Sequence, residues 1–341
     1  MARKKDIKIN LDTYGNYLGM ERGCIVLRDK KGNESRYPLT EDVVGEFVLN
    51  SGNMVSTGLL CSMAFWGIDV LISTRNGKPL AMLKSLDDDY HVETRISQYR
   101  ALKNGKGCYL AKQFVAGKIE GQKNLLGKYG LNTDYDLSQK VKAVKERRLS
   151  LLRRKLLGLE GKYSRFYFKQ IFPLFPEEIR PAYRSSYRAY DGVNNMFNLA
   201  YRILFWKCYR GLLKAHLEPY LGFLHNIQYG RPSLVCDFME LYRHLVDGFL
   251  FEYCQELKPG DFVAKTAMRK KKKGKRIYLK DSLTQEMVNK LFDYFQTKVY
   301  IPRVKRGKKQ ELETLINEEA FLISRYLRLK GESWVPRIAV P

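Results

Sequence analysis

Paired cysteines, long apolar runs and a signal peptide are all missing from this sequence of 341 residues. The six cysteines are scattered and form no C-x-x-C pair, which argues against a disulfide framework or a structural zinc site and favours a reducing cytoplasm. No apolar run approaches the roughly 18 residues that a membrane helix needs. The opening stretch MARKKDIKINLD is too polar for a signal peptide. We therefore expect a cytoplasmic protein without a membrane partner.

Acidic residues are also in short supply. The chain has 36 Asp and Glu against 61 Lys and Arg, which gives a formal net charge of +25. Such a surplus costs self-repulsion in the folded protein, and a polyanionic partner would relieve it. Nucleic acid is the leading partner and an acidic membrane surface the second. A source organism whose proteins are basic in general is the alternative that leaves this charge without a partner.

Residues 1–86 have the short apolar runs and turn residues that are typical of strands. The turn Lys31-Gly32-Asn33 predicts a hairpin, and Arg75-Asn76-Gly77 predicts a later turn. Between two of the strands, a short helix is expected with Ser56 as its N-cap. This half is predicted to be a small β-rich domain.

The pattern changes after an acidic break, or linker, at residues 85–93. From there apolar residues recur three and four positions apart, which predicts helices. The expected fold class is α+β, with a small N-terminal β-rich domain (1–86) followed by a larger all-α C-terminal domain (87–341). Residues 1–86 hold 12 basic and 9 acidic residues, so most of the surplus charge, and the nucleic-acid surface with it, belongs to the helical domain.

Three stretches concentrate that charge. Residues 140–155 are predicted to form one basic helix; residues 265–280 hold nine Lys or Arg in sixteen positions and residues 303–309 hold five in seven. The last two are predicted to be mobile surface loops that contact DNA phosphates, with a merely solvated loop as the alternative. The candidate DNA-binding residues are Arg153, Arg154, Lys270, Lys271, Lys272, Lys273, Arg303, Lys305 and Arg306.

Ionisable residues interrupt an apolar stretch at residues 222–247. A helix is predicted from Ser233, as N-cap, to about residue 256, and Asp237 and Glu240 share one of its faces. A tight turn can bring His225 back over the start of this helix. One imidazole and carboxylate oxygens suit Mn²⁺ or Mg²⁺ better than a structural zinc. A capping or core histidine and a solvated acidic face remain the alternatives.

A third acid ligand must come from elsewhere, and Glu160 is the candidate. It lies in a strongly apolar helical segment between Gly158 and Gly161. Each glycine costs a helix about 1 kcal/mol relative to alanine, which is understandable if another backbone or a ligand comes close. A carboxylate buried there needs a cation as partner.

Three blocks together resemble a known family. LEGKYSRFYF, then DGVNNMFNLAYRIL, then GFLHNIQYGRPSLVCDFMELYRHLVD are similar, in order and spacing, to the CRISPR-associated integrase family, protein one of the spacer-acquisition machinery. The resemblance spans nearly the whole chain. It implies that Glu160, His225 and Glu240 are the catalytic residues and hold Mn²⁺ or Mg²⁺.

The resemblance also implies roles for the residues around these three. Asp237 would support the site, and Asn194 would be structural or lie behind the ligands. Arg243 and Asp247 match an arginine and an aspartate of the family, for which a helix-packing ion pair is expected. His244 has no clear counterpart and is taken as structural.

The function implied by the resemblance is integration of DNA fragments. Their 3′-hydroxyl ends would be joined to CRISPR repeat DNA by transesterification, and branched DNA would be cleaved or resolved. The family acts as a homodimer, for which the β-rich domain would serve, and its dimers are bridged by a small ferredoxin-like CRISPR-associated protein two. Two alternatives stay open: a metal-dependent repair nuclease that uses water as nucleophile, and a basic DNA-binding scaffold without catalysis.

Overall fold

The structure, a computed structural model, divides into two compact units, Met1–His91 and Val92–Pro341. This boundary falls a few residues after the predicted one at residue 86. The residues described are 7–11, 14–38, 44–50, 52–65, 68, 70–74, 79–83, 90–186, 189–269, 272–301, 308–329 and 333–340. Among the helices in these ranges, none combines the length and the apolar character needed to span a bilayer.

Two sheets and one helix make up the described part of the first unit up to residue 83. Its elements are β1 (Ile7–Leu11), β2 (Tyr17–Glu21), β3 (Cys24–Arg28), β4 (Glu34–Pro38), β5 (Val44–Asn50), β6 (Met54–Val55), α1 (Thr57–Phe65), β7 (Val70–Ser73) and β8 (Pro79–Leu83). One sheet has the strand order β1-β5-β7-β8 and the other has the order β4-β3-β2-β6. Leu18, Phe47 and Leu59 are fully buried in the core that these elements share.

Local hydrogen bonds explain two of the predicted features of this unit. The Asp29 carboxylate accepts the N–H groups of Lys31 at 2.8 Å and Asn33 at 2.9 Å, which closes the predicted turn between β3 and β4. The Leu59 N–H donates to the Ser56 hydroxyl at 3.2 Å, so Ser56 is the predicted N-cap of α1. The turn predicted at residues 75–77 lies outside the described residues.

The rest of the chain is mostly helical. Its helices are α2 (Tyr90–Ala101), α3 (Gly105–Lys128), α4 (Ser138–Ala143), α5 (Leu149–Ile171), α6 (Gly192–Lys214), α7 (Ser233–Met239), α8 (Arg243–Cys254), α9 (Asp281–Gln296) and α10 (Leu312–Arg328), and its strands are β9 (Phe262–Arg269), β10 (Lys272–Leu279), β11 (Lys298–Ile301) and β12 (Lys308–Glu311). The α+β class is therefore confirmed.

The prediction that the second domain is all helical is wrong, because β9 pairs with β10 and β11 with β12 as antiparallel hairpins. The lysine-rich stretch 265–280 is thus a β-hairpin over most of its length. Its described side chains are mainly exposed or half-buried, so neither face of the hairpin needs a row of apolar residues. The sequence for this reason lacks the alternation of apolar and polar residues by which a half-buried strand is recognised.

Two predicted helices are interrupted. Residues 140–155 are divided between α4 and α5, and the helix predicted from Ser233 to residue 256 is divided between α7 and α8 by a break at residues 240–242. No glycine or proline marks either break. Ser233 is not an N-cap. Its hydroxyl donates to the Tyr220 carbonyl and accepts the Gly222 N–H, so it ties the preceding loop to α7.

A glycine on each of α3 and α8 lets the two helices come close. A Cβ added at Gly121 would lie 2.3 Å from Nδ1 of His244, and one added at Gly248 would lie 3.0 Å from Leu125. His244 is buried there, and its Nε2 is bonded to the Ala339 carbonyl at 2.9 Å. This contact fixes α8, which begins directly after the acidic residues of the candidate site.

The buried imidazole of His244 makes stability depend on pH. Burial lowers its pKa from 6.5 to about 4. Below pH 6.5 His244 is therefore protonated in the unfolded chain but stays neutral in the folded protein. The free energy of unfolding falls as the pH is lowered from 6.5 towards 4. In His244→Gln the amide can still donate to Ala339 but binds no proton. We expect its melting temperature, measured from pH 7.5 to 4.5, to fall less than that of the wild type; parallel curves would contradict this assignment.

Candidate functional site

Glu160 from α5 and Glu240 from the end of α7 are brought together by a lysine that the sequence analysis did not single out. The ammonium group of Lys118, on α3, contacts Oε1 of Glu160 and lies 2.7 Å from Oε2 of Glu240. The Ser164 hydroxyl, one turn further along α5, donates to Oε1 of Glu160 at 3.0 Å. Two acids that are 80 positions apart in sequence therefore share one cation.

This cluster is buried on one side and open on the other. The side chains of Lys118 and Glu240 are 6% and 5% exposed, whereas that of Glu160 is 20% exposed. Burial by itself would raise the pKa of the Glu240 carboxyl. The charges of Arg243 and Lys118 outweigh burial and, together with His225, lower that pKa to about 2. Glu240 is thus held as a carboxylate at any physiological pH.

One oxygen of Glu240 is left without a hydrogen bond. Its Oε1 lies 3.2 Å from the Arg243 guanidinium. Its Oε2 is buried and, among the described residues, accepts no properly aligned hydrogen bond, because the 2.7 Å contact with Lys118 is close but poorly directed. A buried carboxylate oxygen in this condition costs free energy unless a cation uses its lone pairs.

His225 is positioned by Asp237. The N–H groups of Phe223, Leu224 and His225 donate to the Asp237 carboxylate at 2.6, 2.8 and 2.8 Å, and Nδ1 of His225 lies 2.7 Å from its Oδ1. Asp237 is fully buried. Because Nδ1 is engaged by Asp237, Nε2 is the ring nitrogen left for a ligand, which is how carboxylates orient metal-binding histidines.

Arg153 holds the same loop from the other side. Its Nε donates to the Phe223 carbonyl and its Nη2 to the Gly222 carbonyl, each at 2.7 Å. Asp237 thus accepts hydrogen bonds from the amide groups of the loop, and Arg153 donates hydrogen bonds to its carbonyl groups. The sequence analysis placed Arg153 among the DNA-binding residues. In the structure its guanidinium is engaged by the backbone of the loop that carries His225.

The structure brings the predicted ligands near one another without assembling a ready coordination set. Within the ranges that it describes, no group of three or more His, Cys, Asp or Glu side chains is arranged to hold a metal ion. Glu160 and Glu240 share the Lys118 ammonium, while His225 is tied to Asp237. The donor types and the unbonded Oε2 of Glu240 fit a hard divalent cation.

Asn194 lies at the start of α6, where it organises the preceding loop. Its Oδ1 accepts from Arg184 and from the Ser185 N–H at 2.9 Å each, and its Nδ2 donates to the Tyr183 carbonyl at 2.8 Å. Asp191 caps the helix by accepting the Asn194 N–H at 2.7 Å. The contacts of Asn194 fit a structural residue.

The expected ion pair between Arg243 and Asp247 is not among the contacts of the described residues. Arg243 pairs with Glu240 and lies 4.6 Å from the centre of the Tyr201 ring. Asp247 accepts hydrogen bonds from the hydroxyls of Tyr167, at 2.8 Å, and Tyr201. Burial raises the pKa of Asp247 to about 6 despite these bonds. The partners of Asp247 are thus two tyrosines and not the arginine that the sequence predicts.

A basic groove runs along α5, on a different face of the helix from Glu160. It is lined by Lys140, Val144, Arg154, Lys155, Gly158, Leu159 and Lys162. Arg154 is thus placed where a DNA phosphate could reach it. A Cβ added at Gly158 or Gly161 would meet nothing within 4 Å, so no described part of the chain makes the close approach considered for these glycines.

Of the other DNA-binding candidates, the structure describes two. Lys272 and Lys273 belong to β10, and the residues outside the described ranges are Lys270, Lys271, Arg303, Lys305 and Arg306.

Comparison with known proteins identifies the family. The sequence model described as "CRISPR associated protein Cas1" matches residues 9–291. This chain belongs to the Cas1 family. A "CRISPR-associated endonuclease Cas1" of Korarchaeum cryptofilum is 27% identical, with 96% of each chain covered. A "CRISPR-associated endonuclease Cas1 2" of Pyrobaculum aerophilum is 32% identical, with 74% of this chain and 84% of the relative covered.

Solved structures share the Cas1 fold. A "Partial Cas6-RT-Cas1--Cas2 complex" contains a chain that superposes with a TM-score of 0.76 at 20% identity, with 97% of this chain and 98% of that chain covered. A "Casposase bound to integration product" superposes with a TM-score of 0.70 at 19% identity, with 96% and 97% covered. At these identities the likeness shows the fold.

Sequence reasoning missed Lys118 and the positioning role of Arg153. Both are single basic residues on long helices, in a chain with 61 Lys and Arg. One signal was available for Lys118: it lies next to Gly117 and three residues before Gly121, in a helix with few other charges on its buried face. That pattern marks a close helix contact, but it does not identify the partner of the lysine.

Asp237→Asn should loosen the loop that carries His225. The amide offers one acceptor oxygen where the carboxylate offers two, and its NH₂ group would face backbone N–H donors. Hydrogen bonds to a charged group contribute about 1.5–3 kcal/mol each, so we expect the free energy of unfolding, from urea denaturation, to drop by about 3 kcal/mol. Asp281→Asn, at an exposed carboxylate paired with Lys265, is the control and should change it by less than about 0.5 kcal/mol.

Alanine substitutions at the neighbouring residues Arg153 and Arg154 should have different effects on stability and on DNA binding. Arg153→Ala removes the donors to two loop carbonyls, so it should lower the melting temperature. Arg154→Ala removes a charge from the groove, so it should leave the melting temperature unchanged, weaken DNA binding and reduce the salt dependence by about one phosphate contact. Fluorescence anisotropy at several salt concentrations, with thermal melts, tests both; the opposite pattern would show that the two roles are exchanged.

Proposed function

We propose that this chain is a metal-dependent DNA integrase and endonuclease of CRISPR spacer acquisition. It joins the 3′-hydroxyl ends of DNA fragments to CRISPR repeat DNA by transesterification, and it cleaves or resolves branched DNA. The observation that carries the proposal is the convergence of Glu160 and Glu240, from separate helices, on one cation. Membership of the Cas1 family supports it.

Glu160, Glu240 and His225 would hold Mn²⁺ or Mg²⁺. When bound, the ion supplies positive charge at the scissile phosphate and lowers the pKa of an attacking hydroxyl or water. Other residues of the chain orient the ligands and keep them charged. Asp237 fixes the ring of His225, and Arg243 keeps Glu240 charged. No side chain is needed as a covalent nucleophile.

The groove along α5 would carry the DNA backbone. Lysines and arginines that contact phosphates position a duplex without reading its sequence. Lys140, Arg154 and Lys162 line this groove, on a different face of α5 from Glu160.

The proposed assembly is a homodimer that acts with a small ferredoxin-like CRISPR-associated protein two, in the cytoplasm. A solved complex that contains Cas1 and Cas2, and whose matching chain has this fold, supports such a partner. A casposase bound to an integration product, also of this fold, supports strand joining as the reaction type.

A strand-transfer assay tests the proposal. Purified protein, with and without the small partner, is given a labelled DNA fragment with a free 3′-hydroxyl and a CRISPR repeat duplex, in Mn²⁺ or in EDTA. We expect joined product only with the metal, and a loss of about 100-fold or more in Glu160→Gln, because a direct ligand matters more than the groups behind it. Glu252→Gln, at an exposed glutamate of α8, is the matched control and should join normally.

The outcomes separate the alternatives. Cleavage without joining, dependent on Glu160, would indicate the repair nuclease. DNA binding by folded wild type and Glu160→Gln, with neither joining nor cleavage even with the partner present, would indicate the scaffold. Metal-dependent joining by a folded Glu160→Gln would show that the ligand assignment is wrong.

A further inference from the structure

Lys118 occupies an unusual position for a lysine. Its side chain is 6% exposed, although long cationic side chains are almost never fully buried unless they are paired. It projects from α3 at the seam where Gly117 and Gly121 let other segments come close. Its ammonium group has carboxylates from two other elements as partners, Glu160 on α5 and Glu240 at the end of α7.

The ammonium group of Lys118 is shared between the carboxylates of Glu160 and Glu240. Arg243 is bound to the other oxygen of Glu240, so two cations serve the two acids. The contact between Lys118 and Oε2 of Glu240 is short, at 2.7 Å, yet poorly aligned as a hydrogen bond. Lys118 therefore neutralises Oε2 of Glu240 without giving it a well-directed hydrogen bond, and a cation with less directional demands would serve this oxygen better.

A divalent ion on Glu160 and Glu240 would use oxygens that Lys118 now contacts. Oxygen ligands lie 2.0–2.6 Å from Mg²⁺ or Ca²⁺. A doubly charged ion at that distance from the same oxygens would be strongly repelled by the ammonium group in a buried site. The ammonium group and the metal ion are therefore alternative partners of the same oxygens.

We propose that Lys118 is an internal counter-ion that competes with a divalent cation for Glu160 and Glu240, and so sets the metal affinity of the site. The inference rests on the proposed function, since it takes these two acids as metal ligands. Lys118 holds the acids together when no ion is bound, and its displacement is part of the cost of metal binding. The site is then filled at higher concentrations of the ion than the two acids alone would need.

Metal affinity measured directly tests this role. Mn²⁺ binding to the full chain is titrated by calorimetry and by the electron paramagnetic resonance signal of free Mn²⁺. Lys118→Met keeps the length of the side chain and removes its charge. We expect it to bind Mn²⁺ at least about tenfold more tightly than the wild type. Its melting temperature in EDTA should be lower, and the rise on adding Mn²⁺ should be larger, because the ion then replaces the charge of the lysine.

Lys123→Met is the matched control. Lys123 lies on the same helix and pairs with Asp136 at 3.0 Å, but both side chains are a third or more exposed. Its loss should leave the affinity for Mn²⁺ and both melting temperatures unchanged. Equal or weaker Mn²⁺ binding by Lys118→Met would overturn the proposal, since a lysine that merely supports the fold or aids binding gives that result.

Failure of this inference can be told apart from failure of the proposed function. If Glu160→Gln and Glu240→Gln bind Mn²⁺ as the wild type does, these acids are not ligands, and both ideas fall. If those variants lose Mn²⁺ but Lys118→Met gains no affinity, only the role of Lys118 is wrong. Should Lys118→Met not fold, Lys118→Gln replaces it, because its amide still donates to a carboxylate without charge. The same gain in affinity is then expected.

Discussion

Two carboxylates and one ammonium group, drawn from three helical segments, form the interaction on which the site depends. Separating a buried charge from its partners costs several kcal/mol, so Lys118, Glu160 and Glu240 constrain where α3, α5 and α7 can lie relative to one another. The same contacts keep acids of like charge together at a place that is partly open to solvent.

The loop that carries His225 is fixed by a second set of charges. Asp237 binds three of its amide groups and Arg153 two of its carbonyl groups, so its backbone polar groups are satisfied by side chains instead of by a sheet or helix. This arrangement makes an irregular segment as well defined as a helix. Because Arg153 belongs to α5, the helix of Glu160, the histidine and the glutamate are tied to a common support.

Sequence patterns predicted some parts of this protein well and others poorly, for physical reasons. The β-rich half, with its turn at Gly32 and its cap at Ser56, was recognisable because turns and caps are local. The break between α7 and α8 carries no glycine or proline and was not predicted. The hairpin β9–β10 was taken for a loop because its lysines hide the strand pattern. The residues of the candidate site were singled out from their types and spacing, but their partners were not.

The sequence by itself determined the α+β class, the basic character, the family resemblance and the choice of Glu160, His225 and Glu240 as candidates. All of these follow from residue types and from spacings along the chain. The tertiary structure alone decided that Lys118 pairs the two acids, that Arg153 holds a loop, and that tyrosines bind Asp247. Such pairings join residues 42 to 122 positions apart, and a chain in which one residue in six or so is basic offers many equivalent partners. Only the packing of the helices selects among them.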